Sequence, residues 1–172
     1  MNWYRQIIAE SHSFSTVMLE ISGDLRSRIE KAIDDLDDED IAEEGKEDNA
    51  HVTILYGLHT DSAEKVRKHL IESEPFKITL GKISKFTTSD EHDVLKIEIE
   101  SKKLRDMNKK LRELPYTSSY SEYRPHLTLA YVKKGRCNDM VGSSMFDGET
   151  FQVNTVVFSS KDEEKTNISL EG

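Results

Sequence analysis

The hydrophobic positions of this chain switch between two periods, and the switches divide it into elements. Thr16 to Ile21 reads as a strand, and Gly23 with Asp24 marks a turn into a helix. There Leu25, Ile29, Ala32, Ile33 and Leu36 recur at steps of three and four, an apolar stripe for the core. His51 to Leu58 is the next strand. Asp61 is placed to cap a helix whose buried face is Ala63, Val66, Leu70 and Ile71, and Pro75 ends it. Phe76 to Leu80 alternates, Ile83 and Phe86 extend it, and Asp93 to Glu100 alternates again beyond a polar hairpin loop at Thr87 to His92. Leu104, Met107, Leu111 and Leu114 give a third helix closed by Pro115. His126 to Val132 is a further strand, followed by two final strands, Phe151 to Phe158 and about Asn167 to Leu170. The order β-α-β-α-β-β-α-β-β-β, with short loops between several adjacent strands, predicts an α+β fold with antiparallel sheets.

Between the first helix and the second strand the pattern lapses into charge. Asp34 to Asp40 and Glu43 to Asp48 carry most of an acidic run that lacks the ligand spacing and central glycine of a calcium loop. It reads as a solvated, mobile loop. The whole chain of 172 residues, at a net charge of −9, fits one domain spanning 1–172 and argues against a protein that coats long duplex nucleic acid. It leaves room for a small phosphorylated ligand in a locally positive cleft. No stretch is apolar enough for a membrane span or a secretory leader, so a cytoplasmic location is expected. Cys137 is the single cysteine, which leaves no internal disulfide and no cysteine cluster for zinc.

Two of the strands repeat one pattern. His51-Val52-Thr53-Ile54-Leu55-Tyr56 and His126-Leu127-Thr128-Leu129-Ala130-Tyr131 both read His, aliphatic, Thr, aliphatic, aliphatic, Tyr, 75 residues apart. One His-x-Thr triplet is weak evidence, and packing alone explains it. A duplicated one with matching aliphatic and Tyr positions is not so explained. Residues i and i+2 of a strand face the same way, so each His projects with its Thr while the residues between them point into packing. If the strands face one cleft, two imidazoles and two hydroxyls converge. Phosphodiester cleavage needs a base and an acid, and a pair of imidazoles can hold one neutral and one protonated ring near neutral pH. Threonine hydroxyls can donate to phosphate oxygens. By the same alternation Tyr56 and Tyr131, five positions on, read as core residues pointing away from the histidines.

These motifs resemble those of the 2H phosphoesterase superfamily, named for two His-x-Thr/Ser motifs, and the match runs from about Thr16 to Phe158. The resemblance implies two pseudo-symmetric lobes of antiparallel sheet with flanking helices around a central cleft. It implies His51 and His126 as the acid/base pair, Thr53 and Thr128 as phosphate binders, and no cofactor or metal. Members open 2′,3′-cyclic phosphates, cleave 2′-5′ or 3′-5′ linkages, or trim RNA ends. The chain departs from the bacterial RNA-ligase-like branch in its leading segment, which carries Trp3, Tyr4 and His12, and in the acidic stretch before the first motif. That layout is more similar to the phage anti-CBASS branch, which degrades cyclic di- and trinucleotide immune signals. The expected partner is such a nucleotide or a short RNA, with no membrane, long duplex or obligate protein partner.

Secondary candidates cluster around the second motif. Arg124 could meet a phosphate or form a surface ion pair. Lys133, with Lys134 and Arg136, could sit at the cleft mouth or solvate a loop. Tyr116, Tyr120 and Tyr123 could stack on a base or pack on the lobe. His12 could enter the cleft beside the first strand or belong to a flexible terminus. A binding module without turnover, and a metal site built on the two histidines, are the competing readings. Two proton-transfer groups are superfluous to the first, and two ligands are too few for the second.

Overall fold

The computed structural model describes residues 13–87, 90–118 and 122–171. His12 and Tyr120 therefore lie outside the described residues. The elements run β1 (Ser15–Glu20), α1 (Gly23–Asp34), β2 (Ile41–Lys46), β3 (His51–Leu58), α2 (Ala63–His69), β4 (Phe76–Phe86) and β5 (His92–Glu100). They continue with α3 (Lys102–Leu111), β6 (His126–Lys133), β7 (Thr150–Val153), β8 (Thr155–Ser159) and β9 (Lys165–Ser169). The strands form two antiparallel sheets, in the orders β3-β1-β8-β9 and β2-β6-β5-β4-β7. The α+β class with antiparallel sheets stands, with three helices among the described residues and one motif strand in each sheet.

Apolar side chains of both sheets and all three helices form one core cluster, from Val17, Leu19 and Ile29 to Leu104, Leu127 and Phe158. α1 buries Leu25, Ile29 and Ile33, the predicted stripe. On its exposed side Arg28 Nη1 donates to Glu149 Oε2 at 2.7 Å, tying the helix to the segment that opens β7.

Four sequence expectations change. The acidic stretch is not a free loop: Ile41–Lys46 pairs with β6 as an edge strand. Its charges are met by cations, with Lys46 Nζ donating to the Leu36 carbonyl at 2.8 Å and 3.2 Å from Asp38, and Arg136 3.4 Å from Asp40. Ser62, not Asp61, caps α2, accepting from Lys65 N–H. α2 also stops at His69, which leaves Ile71 68% exposed rather than buried. The long strand expected at 151–158 breaks at Asn154 into β7 and β8, which belong to different sheets.

Candidate active site

The two motif strands are built alike, down to an irregularity that alternation alone conceals. In β3 the pairing with β1 runs Glu20 with His51, Leu19 with Val52 and Met18 with Thr53, then skips Ile54 and resumes with Val17 opposite Leu55 and Thr16 opposite Tyr56. In β6 the pairing with β5 runs Glu98 with His126, Ile97 with Leu127 and Lys96 with Thr128, then skips Leu129 and resumes with Leu95 opposite Ala130 and Val94 opposite Tyr131. Each strand thus carries a β-bulge directly after its Thr. A bulge inserts one residue and reverses the parity beyond it. His, Thr and Tyr of each motif therefore share one face. The tyrosines do not point away from the histidines, as strict alternation predicts. Tyr131 is buried, edge-on to the His92 ring at 5.7 Å, and Tyr56 is half-buried, edge-on to Phe14 at 6.2 Å. On both strands the His and Thr are half-buried, and the aliphatic residue between them, Val52 or Leu127, is fully buried.

The bulges are anchored. The Ile54 carbonyl accepts from Asn108 Nδ2 at 2.7 Å, from a side chain of α3 that is itself buried. The Leu129 carbonyl accepts from the Glu47 N–H at 3.0 Å. Both are carbonyls of the residue skipped in the pairing, and each has a donor from outside the strand pair that carries the bulge.

The imidazoles repeat the symmetry. His51 Nδ1 lies 3.0 Å from Asn49 Oδ1 and 3.3 Å from the Asn49 carbonyl, and His126 Nδ1 lies 2.9 Å from the Arg124 carbonyl. A carbonyl oxygen only accepts, so Nδ1 of each ring is the donor, and the tautomer inferred is Nδ1–H. That leaves Nε2 of each ring as the atom that takes or gives a proton. β3 and β6 are in contact, and the charge of His51 is felt at His126, where it works with burial to hold that imidazole below its ordinary pKa. Burial is the larger cause; Lys96 also lowers it, while the Arg124 carbonyl and Glu98 pull the other way. Glu47, between the motif strands, has its carboxyl pushed up by burial and drawn down by His51.

The secondary candidates divide. Tyr123 donates its hydroxyl to the Thr53 carbonyl at 2.8 Å, its ring packs on the core, and burial raises its pKa above the ordinary value. It ties the approach of β6 to the first motif. Tyr116 bridges the edge of β3 at Leu58, with the Arg112 guanidinium over its ring at 5.5 Å. Arg124 forms the surface ion pair, Nη2 to Glu122 at 3.2 Å, on the rim of a recess of about 410 Å³ that Glu98, Arg105, Tyr123 and Pro125 also line. Lys133 donates to the Glu39 carbonyl at 2.8 Å. It stands seven residues from His126, roughly 20 Å along the strand. Its ammonium serves the acidic turn. Lys134 lies 3.1 Å from buried Asp93.

Sequence reasoning missed the neighbours of the second motif. Lys96 is 3% exposed on β5, opposite Thr128, and its ammonium donates to Ser84 Oγ at 2.6 Å and pairs with Glu98. Phe86 lies beneath that ammonium, 4.1 Å from its ring centroid, and stands edge-on to His126 at 5.0 Å. The available signal is parity: Lys96 and Glu98 hold the polar positions of an alternating strand, and the polar side of that strand faces the cleft. Among the described residues no group of three or more His, Cys, Asp or Glu side chains is placed to hold a metal ion.

A sequence profile described as the 2′-5′ RNA ligase superfamily matches residues 25–165. No curated protein sequence matches. Among solved structures the chain is similar to TT0787 of Thermus thermophilus, with a TM-score of 0.62 and 15% identity over 92% of this chain and 95% of that one. It is similar to Escherichia coli LigT in its apo form, with a TM-score of 0.62 and 16% identity over 92% and 95%. Kluyveromyces marxianus Usb1 with uridine monophosphate aligns at a TM-score of 0.58 and 11% identity over 93% and 99%. Other LigT structures contain phosphate, 3′-AMP, ATP or NADP+. The profile covers most of the chain and includes both His-x-Thr strands, so the chain belongs to the 2′-5′ RNA ligase superfamily, the 2H phosphoesterases, and is an enzyme of phosphodiester chemistry.

Proposed function

We propose that the chain is a metal-independent phosphodiesterase for small nucleotides in which His126 and His51 exchange the protons and Thr53 and Thr128 hold the phosphate. The supporting observation is the matched pair of Nδ1 hydrogen bonds, which leave the two Nε2 atoms free for proton transfer on two strands that touch across the sheets. His126, kept below its ordinary pKa mainly by burial, is the neutral ring and takes the proton of the attacking oxygen. His51 then gives its proton to the leaving oxygen. The phosphorus–oxygen bond to the leaving group breaks as the new one forms. The threonine hydroxyls donate to the non-bridging oxygens as their charge grows.

The substrate proposed first is a cyclic di- or trinucleotide, the signal class degraded by the anti-CBASS branch. A net charge of −9 disfavours long nucleic acid, and small nucleotides are what the LigT structures hold. If the attacking group is the substrate's own 2′-hydroxyl, a 3′-5′ linkage first gives a 2′,3′-cyclic phosphate, and water opens that ring in a second step. The profile's description favours a second reading, 2′-5′-linked RNA or 2′,3′-cyclic phosphate ends. The test incubates the protein in EDTA with cyclic dinucleotides, a cyclic trinucleotide, 2′-5′ oligoadenylate and a 2′,3′-cyclic nucleotide, and resolves products by mass. Turnover of one or more of them in EDTA is expected. Recovery of every compound unaltered from stoichiometric protein would leave only a binding module, and turnover that chelator abolishes would contradict the mechanism.

A further inference from the structure

A lysine ammonium sealed from water is costly unless it is fully partnered, and an apolar residue of similar size is often as stable in its place. Lys96 is such a lysine, and its surroundings are built for it. Ser84 Oγ accepts from it at 2.6 Å and in turn donates to Glu98, Glu98 accepts from it directly, and the Phe86 ring covers the third side at 4.1 Å. The group comes from two strands, β4 and β5, whose pairing sets Ser84 opposite Lys96. Lys96 stands opposite Thr128 and Glu98 opposite His126, so this pair of charges forms the floor beside the second motif.

We propose that Lys96 is a positioning residue for the second motif: it is a fixed positive charge opposite Thr128, drawing phosphate toward that hydroxyl and restraining Glu98 from stabilising the imidazolium of His126. The inference rests on the phosphodiesterase reading of the same cleft. An unrestrained carboxylate beside His126 would hold its proton and repel an anionic substrate; pairing with Lys96 removes both faults. The charged groups acting on His126 are Lys96 and Glu98 from β5 and His51 from β3, while Phe86 from β4 is neutral and the Arg124 guanidinium is engaged with Glu122. Lys96 and His51 favour the neutral ring and Glu98 favours the charged one. Removing Lys96 therefore moves the His126 midpoint up, and removing the Glu98 charge moves it down.

The experiment reads the His126 ring by NMR titration and binding of inorganic phosphate by calorimetry, both without turnover. Lys96→Met should raise the His126 midpoint by about half a pH unit or more, and weaken phosphate about tenfold. Glu98→Gln should move the midpoint down and leave phosphate binding equal or tighter. Lys96→Arg, which keeps the charge, should hold both near the starting values. Glu98 is half exposed, so its variant supplies the test should Lys96→Met fail to fold. A His126 midpoint that is unmoved by Glu98→Gln, or a phosphate affinity unchanged in a folded Lys96→Met, would reduce Lys96 to a structural ion pair. Protein that cleaves nucleotides while its His126 midpoint ignores both substitutions would sink this inference alone. Midpoints that shift as expected in a protein that cleaves nothing would sink the catalytic reading instead.

Discussion

The two halves of the cleft carry the same six-residue motif but secure it by different means. β6 is an interior strand, hydrogen-bonded to β2 and β5. Its backbone is satisfied by neighbouring strands, and charged side chains of β5 surround its histidine. Among the described strands β3 lies at the edge of its sheet, paired with β1. Its outer carbonyls are closed off by a segment from the other half of the chain. Tyr123 reaches the Thr53 carbonyl, Asn108 the Ile54 carbonyl, and the Thr117 N–H the Gly57 carbonyl at 2.9 Å. Edge strands need such cover, and here the cover is the chain that leads into the second motif. The first motif thus depends on the second half for its shape, whereas the second depends on its own sheet for its charge.

The symmetric part of the comparison carries the largest expected effect. His51→Ala and His126→Ala should each lower kcat by roughly a hundred-fold or more, with folding retained by circular dichroism. The double variant should be little worse than either single one, because the rings act as a unit. A single variant that keeps most of its rate would break the symmetry at its root.

Gly57 probes the asymmetric part. Its φ is +97°, and a Cβ there would stand 1.9 Å from the Thr117 carbonyl oxygen. The matching position in the second motif strand, six residues after its histidine, is Val132. Gly57→Ala should destabilise the fold by about 2 kcal/mol or more in urea unfolding, through both strain and loss of the Pro115–Thr117 cover. An unchanged midpoint would mean that the edge of β3 does not need that approach.

Smaller still is Tyr123→Phe, expected to cost about 1 kcal/mol for one half-buried hydrogen bond. It should impair turnover through Thr53 more than it impairs stability. Equal activity of the variant and the parent would show that the first motif holds its shape without its cover.

The last effect is one of pH on stability. His126 is below its ordinary value when folded, so the unfolded chain binds a proton there first as pH falls. Its contribution is present above about pH 6.5 and is lost as pH drops through that value toward the lower folded pKa. His126→Gln should flatten that slope in unfolding curves taken between about pH 7 and 5.

Periodicity sets how much of the molecule is legible in its sequence. The α1 stripe, the β4–β5 hairpin and the two motif strands all follow from spacing, and the duplicated His-x-Thr needs no coordinates. Strict alternation puts Tyr56 and Tyr131 on the wrong side of their strands because a bulge breaks the period of two. The doubled aliphatics Ile54-Leu55 and Leu129-Ala130 are its visible trace. β2 is illegible because the acidic stretch around it looks solvated; the cations that meet Asp38 and Asp40, Lys46 and Arg136, sit near and far in sequence and reach them only in the fold. Lys96 escapes a sequence reading because alternation reports which residues share a face, not whether that face meets water or a cleft.

The central claim is that one neutral and one protonated imidazole work on a single phosphate. It is tested most directly by the pH dependence of kcat/KM for the first nucleotide found to turn over, measured in EDTA. A neutral His126 beside a protonated His51 gives a bell whose acid limb lies below the ordinary histidine pKa and is lost in His126→Ala. A rate that climbs steadily into the alkaline range, or an acid limb untouched by that substitution, would contradict it.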